Sequence, residues 1–467
     1  MKPNKTVVII MIALTLLVCC WMALLGLGFA GRRYLNLRTP QGVPTLTIKD
    51  PALPSRTPSP VNTPQLVVTP SAELSPDTLA QMNRIQSEVS AIRDLQTEFD
   101  VPRKVLSADE LAHNVSNDFF SEYSDEQARR DAKTLFMLGL LPQDFDLINF
   151  YKELYNEQLL GYYDNEEKAM FIIGDDDFNI MKRSTYAHEY THALQDGNFD
   201  FNGKLGIGSE DCKNDSEHCS AMHALIEGDA TLTETLWLEK HASREEIAEL
   251  IEHYQGLSSP VYDAAPPYFQ KDFLFSYQSG IEFVQSLYSQ GKFALVDKAY
   301  TSEHPVSTEQ ILHPSRYPDD KPKPVFLPDL SAKLGSEWVE TDRDTFGEWF
   351  SYLILTQAAD PKNRLADQIG QAAAEGWGGD TFVQLENSKT GEMALIVRYV
   401  WDDSREAKEA ESIFSQYLGN RFKEQSPNLY YDQSGFYVRH TPNSPSGFTW
   451  IFAETQETLN AILDRLH

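Results

Sequence analysis

From about Leu79 the chain takes on a helical rhythm. In MNRIQSEVSAIRDLQ the apolar residues Met82, Ile85, Val89, Ile92 and Leu95 recur every three or four positions, which is one face of a helix. The same period predicts helices over Ala108–Tyr123, Glu126–Leu138 and Phe145–Gln158. The segment QLLGYYDNEEKAMFIIG breaks it. Two β-prone runs, Leu159–Tyr163 and Ala169–Ile173, flank the turn-forming Asp164-Asn165, which predicts an antiparallel hairpin. A helix should follow over Phe178–Gln195, stopped by Gly197. Further helices are expected at Ser220–Glu239, Arg244–Gln255, Tyr277–Gln290 and Gly291–Tyr300.

Past about Leu334 the pattern mixes. Helices at Thr345–Ala358 and Asn363–Glu375 lead into Gly376-Trp377-Gly378-Gly379-Asp380, read as a tight turn with a packed tryptophan. Alternating runs at Thr381–Glu386, Met393–Trp401 and Gly435–His440 predict strands, and helices are expected at Arg405–Gly419 and Thr455–Arg465. The fold class that follows is α+β: a mainly helical body with a small antiparallel hairpin, then a C-terminal α+β unit.

The N-terminal end reads differently. Thr6 to Gly31 is an uncharged apolar run, longer than the roughly 30 Å of a bilayer core requires. It predicts a transmembrane anchor, with a cleaved signal peptide as the rival because Gly28-Phe29-Ala30 is a passable cleavage site. Cys19 and Cys20 inside it read as buried thiols. The Pro, Thr and Ser-rich stretch that follows suits an extended tether. The expected division is a tail at 1–5, an anchor at 6–31, a linker at 32–78, a helical domain at 79–334 and an α+β domain at 335–467.

Charge narrows the function. The net charge is −29, so nucleic acid is not an expected partner. Without a glycine-rich phosphate loop, neither is a nucleotide. At 41% hydrophobic and 11% aromatic residues the chain can bury sizeable cores. Four cysteines, two of them in the apolar run, exclude a disulfide-framework protein.

The chemistry gathers on the helix around residue 190. It carries His188-Glu189-Tyr190-Thr191-His192, an H-E-x-x-H. Residues i and i+4 lie one turn apart, so both imidazoles can point at one metal, and Glu189 can take a proton from the attacking water. A catalytic zinc has three protein ligands and one position for water. Glu227, in ALIEGDAT and 35 residues after His192, is the candidate third ligand. Its approach is apolar, and Gly228 beside it permits close helix packing. His223, one turn earlier, is the rival.

His188 to Asp196, HEYTHALQD, resembles the active-site helix of thermolysin-like metallopeptidases, and Glu227 looks like the glutamate ligand of the wider gluzincin clan. The resemblance implies one zinc ion held by His188, His192 and Glu227, with Glu189 as general base. It also implies that the strand Ala169–Ile173 is a sheet edge that pairs with an extended peptide substrate. It covers only about Tyr162 to Leu236, and the ligand spacing differs from that of thermolysin. The chain is also similar to a group of anchored bacterial proteins carrying HExxH, EGDA and a later STEQ-LHP element.

Other residues complete the expectation. Asp196, four after His192, and Asp229 are carboxylates that could orient the imidazoles. Tyr277, in a Y-x-x-G element, and His313, presented before Pro314, are candidate donors to the oxyanion of peptide hydrolysis. Cys212 and Cys219 flank KNDSEH; a disulfide is expected, with a metal site using His218 as the alternative. The pair favours a body outside the membrane. The reading is a single-pass, membrane-anchored zinc metallopeptidase that hydrolyses peptide bonds with a zinc-activated water. The rival is a non-catalytic protein of the same fold that holds a peptide or cell-envelope ligand.

Overall fold

A computed structural model describes residues 74–466, apart from 108, 111–112, 115–122, 156, 158–160, 174–176 and 433–434. The first part of the chain contains α1 (Pro76–Arg93), β1 (Arg103–Leu106), α2 (Asp125–Met137), α3 (Leu147–Tyr155), β2 (Gly161–Asp164), β3 (Ala169–Ile173) and α4 (Ile180–Phe199). Next come α5 (Ser216–His241), α6 (Arg244–Gly256), α7 (Phe275–Gly291), α8 (Phe293–Thr301) and α9 (Thr308–Leu312). The last part has β4 (Trp338–Asp344), α10 (Gly347–Thr356), α11 (Asp367–Ala374), β5 (Trp377–Asn387), β6 (Met393–Trp401) and α12 (Ser404–Arg421). It closes with β7 (Lys423–Ser426), β8 (Leu429–Tyr431), β9 (Tyr437–Ser444), β10 (Gly447–Ala453) and α13 (Gln456–Leu463). The fold is α+β, as expected.

The hairpin β2–β3 forms, but it belongs to a three-stranded sheet of order β1-β3-β2, with β1 parallel to β3. Ala169–Ile173 is therefore the central strand and not an edge. The edges are β1 and β2, because a strand whose residues lie 67 positions before their partners covers the side of β3 that the hairpin leaves open.

The seven-stranded sheet, β4-β5-β6-β10-β9-β8-β7, is antiparallel throughout. Both faces are buried along the central strands β5, β6 and β10. Met393, Leu395, Val397, Tyr399 and Trp401 enter one core, while Ala394 and Ile396 enter another beneath α13. Gly376–Asp380 is not a tight turn. Trp377 opens β5, and a bulge between Trp377 and Gly379, at φ 145° and backed by Lys323, re-aims the strand. The larger core also takes in Met137, Leu140, Leu147, Phe150 and Leu154, so α2 and α3 pack with the C-terminal sheet.

Helices α5 and α7 approach closely where Gly228 meets Gly280. A Cβ on Gly228 would lie 2.2 Å from the Gly280 carbonyl oxygen, and one on Gly280 would lie 2.2 Å from that of Ala224. This contact fixes the back of the helix segment that carries Glu227.

Among the described residues no helix is long and apolar enough to cross a membrane. The two longest, α4 and α5, carry charged and imidazole side chains along their length. The apolar run at 6–31 and most of the linker lie outside the described residues. The expected single-pass membrane placement is corrected on that finding and does not enter the functional reading.

Candidate metal centre

Asn179 caps α4 by accepting from the Lys182 backbone N–H, and the helix runs past Gly197 to end at Asp200 in the left-handed region. From Ser184 to Asp196 it is buried on every side because α1, α5 and β2 surround it. His188 and His192, one turn apart, both face α5, which is capped at its start by Asp215. Glu227 of α5 meets them. Its Oε2 lies 3.2 Å from His188 Nε2 and 3.6 Å from His192 Nε2. The three donor atoms lie within 4.8 Å of one another. In a tetrahedron with metal–ligand bonds near those of zinc to nitrogen and oxygen, ligand atoms sit about 3.4 Å apart. Two nitrogens and one carboxylate oxygen at these separations fit such an ion. His223 is not part of the group.

The three ligands and Glu189 are all buried. Burial disfavours a charged Glu227, yet the His192 and His188 imidazoles hold its carboxyl down at about 2. Burial likewise opposes charge on His192, but Glu227 raises it overall. Glu189 is pushed up, chiefly by burial and further by Glu227, against the two imidazoles. A carboxylate raised in this way is a better proton acceptor. Its Oε2 accepts the Tyr163 backbone N–H of β2 at 3.0 Å. Its Oε1 has no hydrogen-bond partner among the described residues.

Groups behind the imidazoles hold the rings in place. His188 Nδ1 lies 3.2 Å from Glu234 Oε2, and Ser184 Oγ donates to the other oxygen of Glu234. His192 Nδ1 lies 2.9 Å from Gln195 Oε1. Gln195 Nε2 donates to Asp229 Oδ2 at 2.9 Å and to the Ile226 carbonyl at 3.0 Å. Asp229 thus acts at one remove, through Gln195. Asp196 touches neither ring: it accepts from the Tyr163 hydroxyl, Lys168 and the Phe201 N–H, tying β2 to the end of α4. Sequence reasoning missed Glu234 and Gln195. Their signal was spacing, since Glu234 lies two turns after Glu227 on one face and Gln195 one turn after His192. Replacing Glu234 by Ala is expected to weaken metal affinity about 10–100-fold with the fold intact. A competing-chelator titration measures this, and an unchanged affinity would refute the role.

His313, one of the two oxyanion candidates, lies elsewhere. His313 Nε2 is bonded to Glu348 at 2.9 and 3.1 Å. It lines a separate cavity of about 460 Å³, with Gln278, Glu348 and Trp349, to which none of the four residues above contributes. Its helix α9 docks on Glu217 through Thr308, ten residues before Glu227 and so about 15 Å along α5. Tyr277 is 2% exposed in the apolar cluster between α5 and α7. Cys212 and Cys219 form the expected disulfide, with Cα atoms 5.5 Å apart. His218 bonds the Leu205 carbonyl instead.

Comparison with known proteins adds little about function. Residues 336–463 match the family described as Domain of unknown function (DUF8575), a region from just before β4 to the end of α13. No curated protein matches. One solved structure, described as a candidate hydrolase with a novel fold from Chloroflexus aurantiacus, is 16% identical with a TM-score of 0.33. The match covers 51% of this chain and 87% of that one. At those values the likeness carries no argument about activity.

Proposed function

We propose that this chain is a zinc-dependent metallopeptidase that hydrolyses peptide bonds. One observation carries the reading: His188, His192 and Glu227 bring three donor atoms together, with Glu189 in the same helical turn. His188, His192 and Glu227 would hold the ion. A bound zinc supplies a Lewis acid and makes water acidic near neutral pH. Glu189 receives the proton of the attacking water and passes it to the departing amine nitrogen. The Tyr163 N–H keeps one of its oxygens fixed while the other stays open for that proton. β2, the sheet edge beside α4, is where an extended substrate backbone would add.

The depth of the site favours a second reading, a protein that keeps zinc for binding or structure. His188 is fully buried, and the cavity beside Glu189 holds only about 20 Å³. Against it, structural zinc takes four protein ligands, and three converge among the described residues. A binding role also leaves Glu189 without a use.

The test is metal analysis of the purified full chain with cleavage profiling on a peptide mixture. The expected result is one zinc per chain and cleavage that a chelator stops and zinc restores. Zinc without cleavage would favour the second reading, and a chain without zinc would end both.

A further inference from the structure

The mechanism above leaves His223 unassigned. It stands on α5 one turn before Glu227, and residues 223, 227 and 234 share a stripe of that helix. Glu227 and Glu234 both reach His188 across the α4–α5 contact, so the stripe faces the metal-ligand group. His223 is 7% exposed, and among the described residues nothing hydrogen-bonds its ring. Its ring nitrogens are not among the buried atoms left without a partner, so they keep contact with solvent and are open to a ligand. Burial pushes this imidazole down to about 4, and the groups whose charge acts on it are Glu227, His218 and His192. Whether neutral or protonated, an imidazole keeps at least one N–H to donate.

Attack on a peptide carbonyl puts negative charge on its oxygen, and a fixed donor aimed at that oxygen lowers the barrier. A neutral imidazole held in that form can serve as such an electrophile. Of the residues expected for the role, His313 is bonded to Glu348 beside another cavity, and Tyr277 belongs to the apolar α5–α7 cluster. We propose that His223 is a catalytic residue that donates a hydrogen bond to the scissile carbonyl oxygen, and that it is not a metal ligand. No proton is transferred from it; proton movement stays with Glu189. This rests on the peptidase reading.

The test compares the zinc-loaded full chain with His223→Phe, His223→Gln and Tyr277→Phe. His223→Phe is expected to keep one zinc per chain and the wild-type KM while kcat falls about 10²–10³-fold. His223→Gln, which keeps an N–H donor, should recover part of the loss. Affinity for a phosphinic peptide, whose oxygen mimics the oxyanion, should fall by the same factor as kcat/KM when measured by calorimetry. Tyr277→Phe should change neither quantity. Full kcat in both His223 variants, loss of zinc in either, or transfer of the effect to Tyr277→Phe would overturn the assignment alone. A zinc-loaded wild type that cleaves nothing would overturn the peptidase reading and this assignment with it.

Discussion

Glu189→Gln is expected to leave zinc bound while peptide turnover falls about 10²–10⁴-fold, the range that a positioned proton acceptor supplies. The substitution is close to isosteric at a site 2% exposed, so the surrounding packing survives. The Tyr163 N–H selects the carboxamide oxygen as its partner, which turns the amide nitrogen toward the position of the unpartnered carboxylate oxygen. That nitrogen cannot accept a proton. Metal content and kcat measured on the same preparation check the result. A variant that cleaves at the wild-type rate would remove Glu189 from the mechanism.

The largest stability effect is expected at Arg93, the last residue of α1. Its guanidinium has no exposed surface and donates from Nε to both oxygens of Asp229, at 2.8 and 3.0 Å. It also reaches Asp297 at 2.6 Å and lies over the Phe293 ring. Arg93→Met leaves Asp229 charged, fully buried and without its counter-ion, which costs about 3–5 kcal/mol. Equilibrium urea unfolding should show a midpoint lowered to match. Asp229→Asn added to Arg93→Met should recover part of the loss, because the two side chains act as one unit. Asp229 also holds Gln195 against His192, so zinc affinity should weaken along with stability. An unchanged midpoint would show that the pair contributes nothing net.

What could be read in advance was local. His188 and His192 share a helix face by spacing alone, and Cys212 and Cys219 are near enough in sequence to pair. Glu227 was recognisable because an acidic residue in an apolar helix needs a partner. The failures are tertiary. His313 stands at a helix end before proline, which says that it is presented but not to what; its partner Glu348 comes from another helix. β1 is four residues with two charges, too short and too polar to announce itself as a strand that covers β3. β10 lacks the expected alternation because both of its faces are buried. Glu234 needed the α4–α5 crossing before its spacing acquired meaning.

The sharing of one core by Met137–Leu154 and the C-terminal sheet has a consequence during synthesis. When α2 and α3 leave the ribosome, the strands that cover their apolar faces have yet to be translated. At ordinary elongation rates the interval is on the order of 10–40 s. Through that time the two helices present uncovered leucines and phenylalanines to the cell. A chain interrupted before β5 would retain that sticky surface permanently, so nascent-chain chaperones should engage this segment and release it only once translation is nearly complete.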